Sequence, residues 1–303
     1  MRSLIFLACI FCSLQLSASK LPDNLLLVGF DGESWYPYLV VDSQWKKITD
    51  IRDPAYLTWH PSNKTFYIKG DDGDLYHHVL GANKQKKISL GLSKNEKNFT
   101  QLRSHADGVV MVHLIGGKSR DTELMSLDAV GNTNSVLRQS SAQFHPMIHQ
   151  DFLYYAHVSC RTECEPIIQD IWRKNLLTGR AEQITKWNAT TYLNTLFNHK
   201  KLTSDEALGV AVSNMEGFYN LYSVNLESGE FIPLTQGLFT DSFPALTRDN
   251  DLYFIRRDVS GTHLRYVPAR YVTTDKAINE ERMDTIALPK EIKKIRYLEL
   301  PLQ

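Results

Sequence analysis

The chain has 303 residues, 43% of them apolar and 22% charged, and its 34 Lys plus Arg balance 34 Asp plus Glu. That length buries a core as one or two domains, and zero net charge removes the electrostatic case for nucleic acid or an anionic membrane surface. Aromatics at 11%, many of them Tyr and Phe in short alternating runs, favour sheet over helix.

Met1 to Ser19 reads as a secretory signal peptide. Arg2 supplies the positive start, Leu4 to Cys12 the apolar stretch, and Ser17-Ala18-Ser19 the small residues of a cleavage site. A spanning helix needs about 20 apolar residues, and this run breaks at Ser13 and Gln15. No later segment is apolar enough to span a bilayer. The expected mature chain is periplasmic or secreted, and it retains only Cys160 and Cys164.

From Leu25 onward the chain repeats. Three strands are expected at 25–30, 36–41 and 45–49. Pro54 to Ile68 then reads as strand, polar turn, strand, and related units recur around Phe144-His145-Pro146 and Phe243-Pro244, with weaker copies at Leu102 to Val112 and Leu202 to Val212. Each unit continues through a Gly- or Asp-bearing turn into a third strand. A tight turn and a fourth strand follow, ending in a pair such as Ile48-Thr49, Ile88-Ser89, Ile184-Thr185 or Leu234-Thr235. Four short strands per roughly 40–45 residues is the pattern of a β-propeller blade. The residues from Trp187 to Lys201 read as a loop insertion.

Units starting near residues 53, 98, 142, 192 and 241 count as five blades. The first three strands lack an innermost partner, and the tail holds spare strand material at Thr285 to Leu288 and Ile295 to Leu300. Pairing one terminus with the other removes the exposed sheet edges. The expected fold is all-β, a six-bladed propeller of four-stranded antiparallel blades occupying residues 20–303 as one domain.

The stretch Pro54…Trp59-His60-Pro61-Ser62-Asn63, with Phe144-His145-Pro146, resembles the TolB-like repeat Pro-x-Trp-Ser-Pro-Asp-Gly, and the third-strand Tyr and closing Leu-Thr agree. The resemblance spans about Leu25 to Pro268 and implies the fold, while leaving function open because the repeat serves many unrelated proteins. The chain has no room for the α/β domain ahead of the propeller in the transport-associated TolB protein, so that protein's partners do not carry over. No Gly-x-Ser-x-Gly elbow is present.

His60, His105 and His145 are aligned at one repeat position, where Thr203 and Thr247 stand elsewhere. A polar side chain bonding a turn explains that pattern, and a shared cation is the alternative. Asp71-Asp72-Gly73-Asp74 lacks the Glu of a calcium loop and sits where a hairpin turn is expected. The loops between second and third strands carry Trp35, Tyr36, Arg120, Arg161, Phe218, Tyr219, Arg256 and Arg257, residue types that dominate protein interfaces. Packing between blades is the competing role for Trp35, Tyr36 and Tyr219. Cys160 and Cys164 lie in an enlarged loop of the fourth blade. Metal ligation with His157 and a redox couple are weaker alternatives there to a disulfide brace. The expected function is a binding scaffold for a periplasmic or envelope protein or polymer, with no cofactor. The alternative is a propeller enzyme (lyase, lactonase or glycan hydrolase) with an axial site.

Overall fold

The computed structural model describes residues 21–302 apart from 71, 83, 91–97, 119, 129–130, 161–166, 203–206 and 273–275. The described residues form six four-stranded antiparallel sheets, a six-bladed propeller with no α-helix. Blade 1 holds β1 (Leu26–Phe30), β2 (Trp35–Val41) and β3 (Gln44–Lys47), and blade 2 holds β4 (Tyr56–His60), β5 (Thr65–Lys69), β6 (Leu75–Val79) and β7 (Lys86–Ile88). Blade 3 follows with β8 (Phe99–His105), β9 (Gly108–Leu114), β10 (Thr122–Asp128) and β11 (Thr133–Leu137). Blade 4 is β12 (Gln143–His149), β13 (Phe152–Cys160), β14 (Ile168–Asn175) and β15 (Ala181–Gln183). Blade 5 is β16 (Thr191–Leu196), β17 (Leu208–Ser213), β18 (Asn220–Asn225) and β19 (Phe231–Pro233). Blade 6 is β20 (Thr240–Leu246), β21 (Leu252–Asp258), β22 (Gly261–Val267) and β23 (Asp284–Thr285). The last strand, β24 (Lys294–Glu299), returns to pair with β1 as the innermost strand of blade 1, Leu26 opposite Glu299.

The expected insertion at 187–201 instead contains a blade strand. Thr191–Leu196 is the innermost strand of blade 5, and a short 3-10 turn at His199–Lys201 accounts for part of the extra length. Mixed polarity hid this strand. Its Asn194 is buried and donates to the Pro244 carbonyl at 2.8 Å.

Second strands explain why the sequence shows apolar runs rather than strict alternation. Successive side chains point to opposite faces of a strand, and both faces of a blade are covered by neighbouring blades. On β9, Val109 and Met111 join the core shared with blade 2, while Val110 and Val112 join the core shared with blade 4. On β5, Phe66 and Ile68 face blade 1 and Tyr67 faces blade 3. On β21, Leu252 and Phe254 face blade 5 and Tyr253 and Ile255 face blade 1. A buried Phe such as Phe66 contributes about 1.5–3 kcal/mol by transfer from water.

The closing Leu-Thr pairs also have a cause. Thr185 Oγ1 accepts the Ile171 N–H and Thr235 Oγ1 accepts the Leu221 N–H, each at 2.9 Å, so the hydroxyl continues the fourth strand's hydrogen bonding after it ends.

Candidate functional site

The innermost strands crowd around the axis, and five of the six are bulged. The register slips between Thr100 and Arg103 on β8, Phe144 and Met147 on β12, Leu193 and Thr195 on β16, Ser242 and Ala245 on β20, and opposite Val28/Gly29 on β24. A bulge adds one residue and re-aims a side chain. Here Gln101, His145, Asn194, Phe243 and Arg296, one from each bulge, line a single cavity of about 250 Å³. Gln101, His145 and Phe243 have φ of 52°, 50° and 52°. Left-handed backbone at a non-Gly residue is costly and clusters at functional sites.

The remaining lining is mostly apolar, from Val28, Pro54, Leu57, Met147 and Leu193, with Tyr56, Arg103 and Tyr297. Gln101 Oε1 accepts the His145 N–H at 2.6 Å, tying neighbouring bulges together. The His145 ring stacks on Tyr192 at 3.8 Å and 9°. Phe243 meets Tyr297 edge-on at 5.2 Å. Burial, reinforced by the Arg103 guanidinium, pushes the His145 imidazole down to about 3, so it is neutral across the physiological range.

Beside the cavity lies a buried carboxylate. Glu299 accepts from Thr58 Oγ1 at 2.8 Å and the Trp59 N–H at 3.4 Å, and Arg103 Nε stands 3.6 Å away. Burial pushes its pKa up, while Arg103 and the Thr58 hydroxyl pull the other way. Arg103 also donates to the Asn194 carbonyl at 2.7 Å. One acid therefore links blade 1 to blades 2 and 3, and through Arg103 to blade 5. Beyond Glu299 the tail continues. Leu300 enters the core between blades 6 and 1, and Leu302 packs against the core between blades 4 and 5, on the far side of the ring. That path lies at the end where the inner strands finish, while Pro54, Ala55 and Tyr56 bring the cavity lining to the end where they start.

The three histidines aligned in sequence do not share a position. His60 and His105 close β4 and β8, opposite Thr65 and Gly108, and their counterpart on β12 is His149, opposite Phe152. His145 sits four residues earlier in the bulge, about 13 Å along the strand at 3.3 Å per residue. The extra bulge residue and the shared His-Pro dipeptide produced the false alignment. No three metal-ligating side chains gather among the described residues. Asp72 and Asp74 are committed to their turn, Asp72 to the Asp74 N–H at 3.0 Å and to Tyr76, and Asp74 to Lys87. Asp71 lies outside the described residues.

The expected binding residues divide. Phe218, Arg120 and Arg257 are exposed. Trp35 is half-buried beneath the guanidinium of the cavity-lining Arg296, 4.5 Å from ring to cation. Tyr36 and Tyr219 pack partly against blade cores, and Lys47 lies 3.9 Å over the Tyr36 ring. Arg256 is a correction. It is buried, donates to Asp241 at 2.7 and 2.8 Å and to Glu280 at 2.6 Å, and lies 3.5 Å over Phe239. The neighbouring Arg257 points outward because strand neighbours face opposite sides. Arg161 and Cys164 lie outside the described residues, and Cys160 ends β13.

Sequence reasoning missed Gln101, Arg103, Asn194, Phe243, Arg296, Tyr297 and Glu299. One signal was available. His145-Pro146 and Phe243-Pro244 place Pro within an inner strand, where it is tolerated at bulges.

No protein-family model matches the chain, and no curated protein matches it. Solved structures do. The putative TolB from Agrobacterium tumefaciens superposes with a TM-score of 0.59 at 11% identity, covering 88% of this chain and 90% of that one. A chain of a nidogen/laminin complex superposes with a TM-score of 0.61 at 11% identity, covering 92% and 98%. An oligogalacturonate lyase in complex with manganese gives 0.54 at 16%, covering 82% and 72%. In fold, this chain is a TolB-like six-bladed β-propeller.

Proposed function

We propose that the chain is a periplasmic or secreted binding propeller that receives a protein partner on the face where the axial cavity opens. One observation carries this reading. Of the eight large apolar side chains exposed among the described residues, Tyr56, Ile167, Phe218, Leu238 and Val259 lie at the end where inner strands start. Val79, Leu177 and Phe231 lie at the other end. Exposed apolar side chains gathered on one face mark an interaction surface, and Arg120 and Arg257 belong to the same rim. The nidogen/laminin structure is itself a protein complex on this fold. Residues to Ser19 act as the export signal, and a Cys160–Cys164 disulfide braces the loop after β13. Among the described residues no helix is long and apolar enough to cross a membrane.

Photocrosslinking in cells tests the face. A photoreactive residue at position 218 or 238 captures one discrete partner, while position 177 on the opposite face captures none. Equal capture at 177 overturns the reading.

The second reading is a propeller enzyme with an axial site. His145, neutral and lining the cavity, is its observation. Turnover of an acidic glycan or a lactone, lost in a folded His145→Gln variant, would establish it.

A further inference from the structure

The axial cavity has a definite chemical character. Its lining contains two guanidinium groups, Arg103 and Arg296, and no carboxylate. Glu299 is not part of the lining. It lies behind Arg103, held by Thr58 and the Trp59 N–H. Arg296 is held in place from two sides, its Nη2 donating to the Pro54 carbonyl at 2.5 Å and its plane lying over Trp35. The same lining carries the apolar side chains of Leu57, Met147, Leu193 and Phe243. A planar guanidinium matches a carboxylate in a forked pair, and exclusion of water strengthens that attraction. The volume, about 250 Å³, falls below the roughly 300–1,000 Å³ of pockets for drug-sized ligands and suits a group the size of one amino-acid residue.

We infer that the cavity takes the C-terminal residue of the partner protein, its free carboxylate at Arg296 and its apolar side chain against Leu193, Met147 and Phe243. A side-chain carboxylate of Asp or Glu supplies the charge without enough apolar body to cover that wall. This inference rests on the reading that the partner is a protein bound at this face. Charge complementarity selects the occupant. The bulges explain how it is reached, because they deliver Gln101, His145, Asn194, Phe243 and Arg296 to one space from five separate blades.

The test uses the mature chain and the probe peptide Gly-Ser-Gly-Leu, by calorimetric titration. The free-acid peptide binds at least tenfold more tightly than its C-terminal amide, and raising the salt weakens only the acid. Arg296→Gln removes the difference between the two, and Arg296→Lys restores part of it. Gly-Ser-Gly-Asp with an amidated terminus binds no better than the leucine amide. Equal affinity of acid and amide for the native chain overturns the inference, as does a tenfold preference that survives Arg296→Gln. Should that variant not fold, the acid-to-amide ratio in the native chain decides alone. Loss of crosslinking at 218 and 238 with peptide binding intact counts against the partner face only. Crosslinking retained with no acid preference counts against the carboxylate only.

Discussion

Arg103 Nε lies 3.6 Å from Glu299 Oε1, and this contact joins the inner strand of blade 3 to the strand that closes the ring. Both groups are nearly removed from water, at 13% and 0% side-chain exposure. Removing one partner of a buried pair leaves an uncompensated charge and costs about 3–5 kcal/mol. Glu299→Ala is expected to lower the urea midpoint by that scale, and Glu299→Gln, which keeps the Thr58 hydrogen bond, by less. Equal midpoints for Glu299→Ala and the native chain would show that ring closure does not depend on this acid.

Glu299 also sets a pH dependence. Burial raises its folded pKa above the unfolded value of 4.5, so the folded state holds the proton more tightly. Its contribution is fully present below pH 4.5 and is lost as pH rises through the folded pKa. Thermal melting of the native chain minus that of Glu299→Gln should therefore decline on going from pH 4 to neutrality. A rising difference refutes the assignment.

His145 acts in the opposite sense. Its folded pKa of about 3 lies below the ordinary 6.5, so the unfolded chain binds the proton first. Stability is retained above pH 6.5 and falls as pH drops toward 3. His145→Asn should flatten the melting curve across that interval, read by circular dichroism at one-unit steps.

Arg256 and Phe218 separate stability from binding. Arg256→Ala strands Asp241 and is expected to cost about 3–5 kcal/mol, seen as a lower urea midpoint. Phe218→Ser, at a side chain 41% exposed, should shift stability within about 0.5 kcal/mol. It should still abolish partner capture. Full capture by the Phe218→Ser chain would remove that residue from the interface.

A Cys160–Cys164 disulfide, as proposed, would close a five-residue loop and is expected to contribute about 2 kcal/mol. Cys160→Ser should lower the melting temperature only under oxidising conditions. Two reactive thiols in the oxidised, processed protein would dispose of the brace.

The blade count, the unit boundaries and the ring closure were legible in the sequence because they follow from local chemistry. Turn residues, two-sided apolar strands and closing Leu-Thr pairs each recur at one spacing, and an orphan strand at each terminus demands pairing. The alternation on β9 even assigns Val109 and Val110 to different neighbours once blades are assumed. The candidate site was not legible. Its members come one at a time from separate blades, and each sits at a bulge, where one extra residue shifts the pattern and turns a side chain to the axis. That shift paired His145 with His60 and His105, although His149 is their counterpart. Likewise Arg256 and Arg257 read alike in sequence, and only the packing of Glu280 and Phe239 decides which is buried. Period and turn chemistry are properties of a few adjacent residues, so the chain itself determined the propeller. Which side chains face the axis depends on strand register across the ring, and that only the folded ring decides.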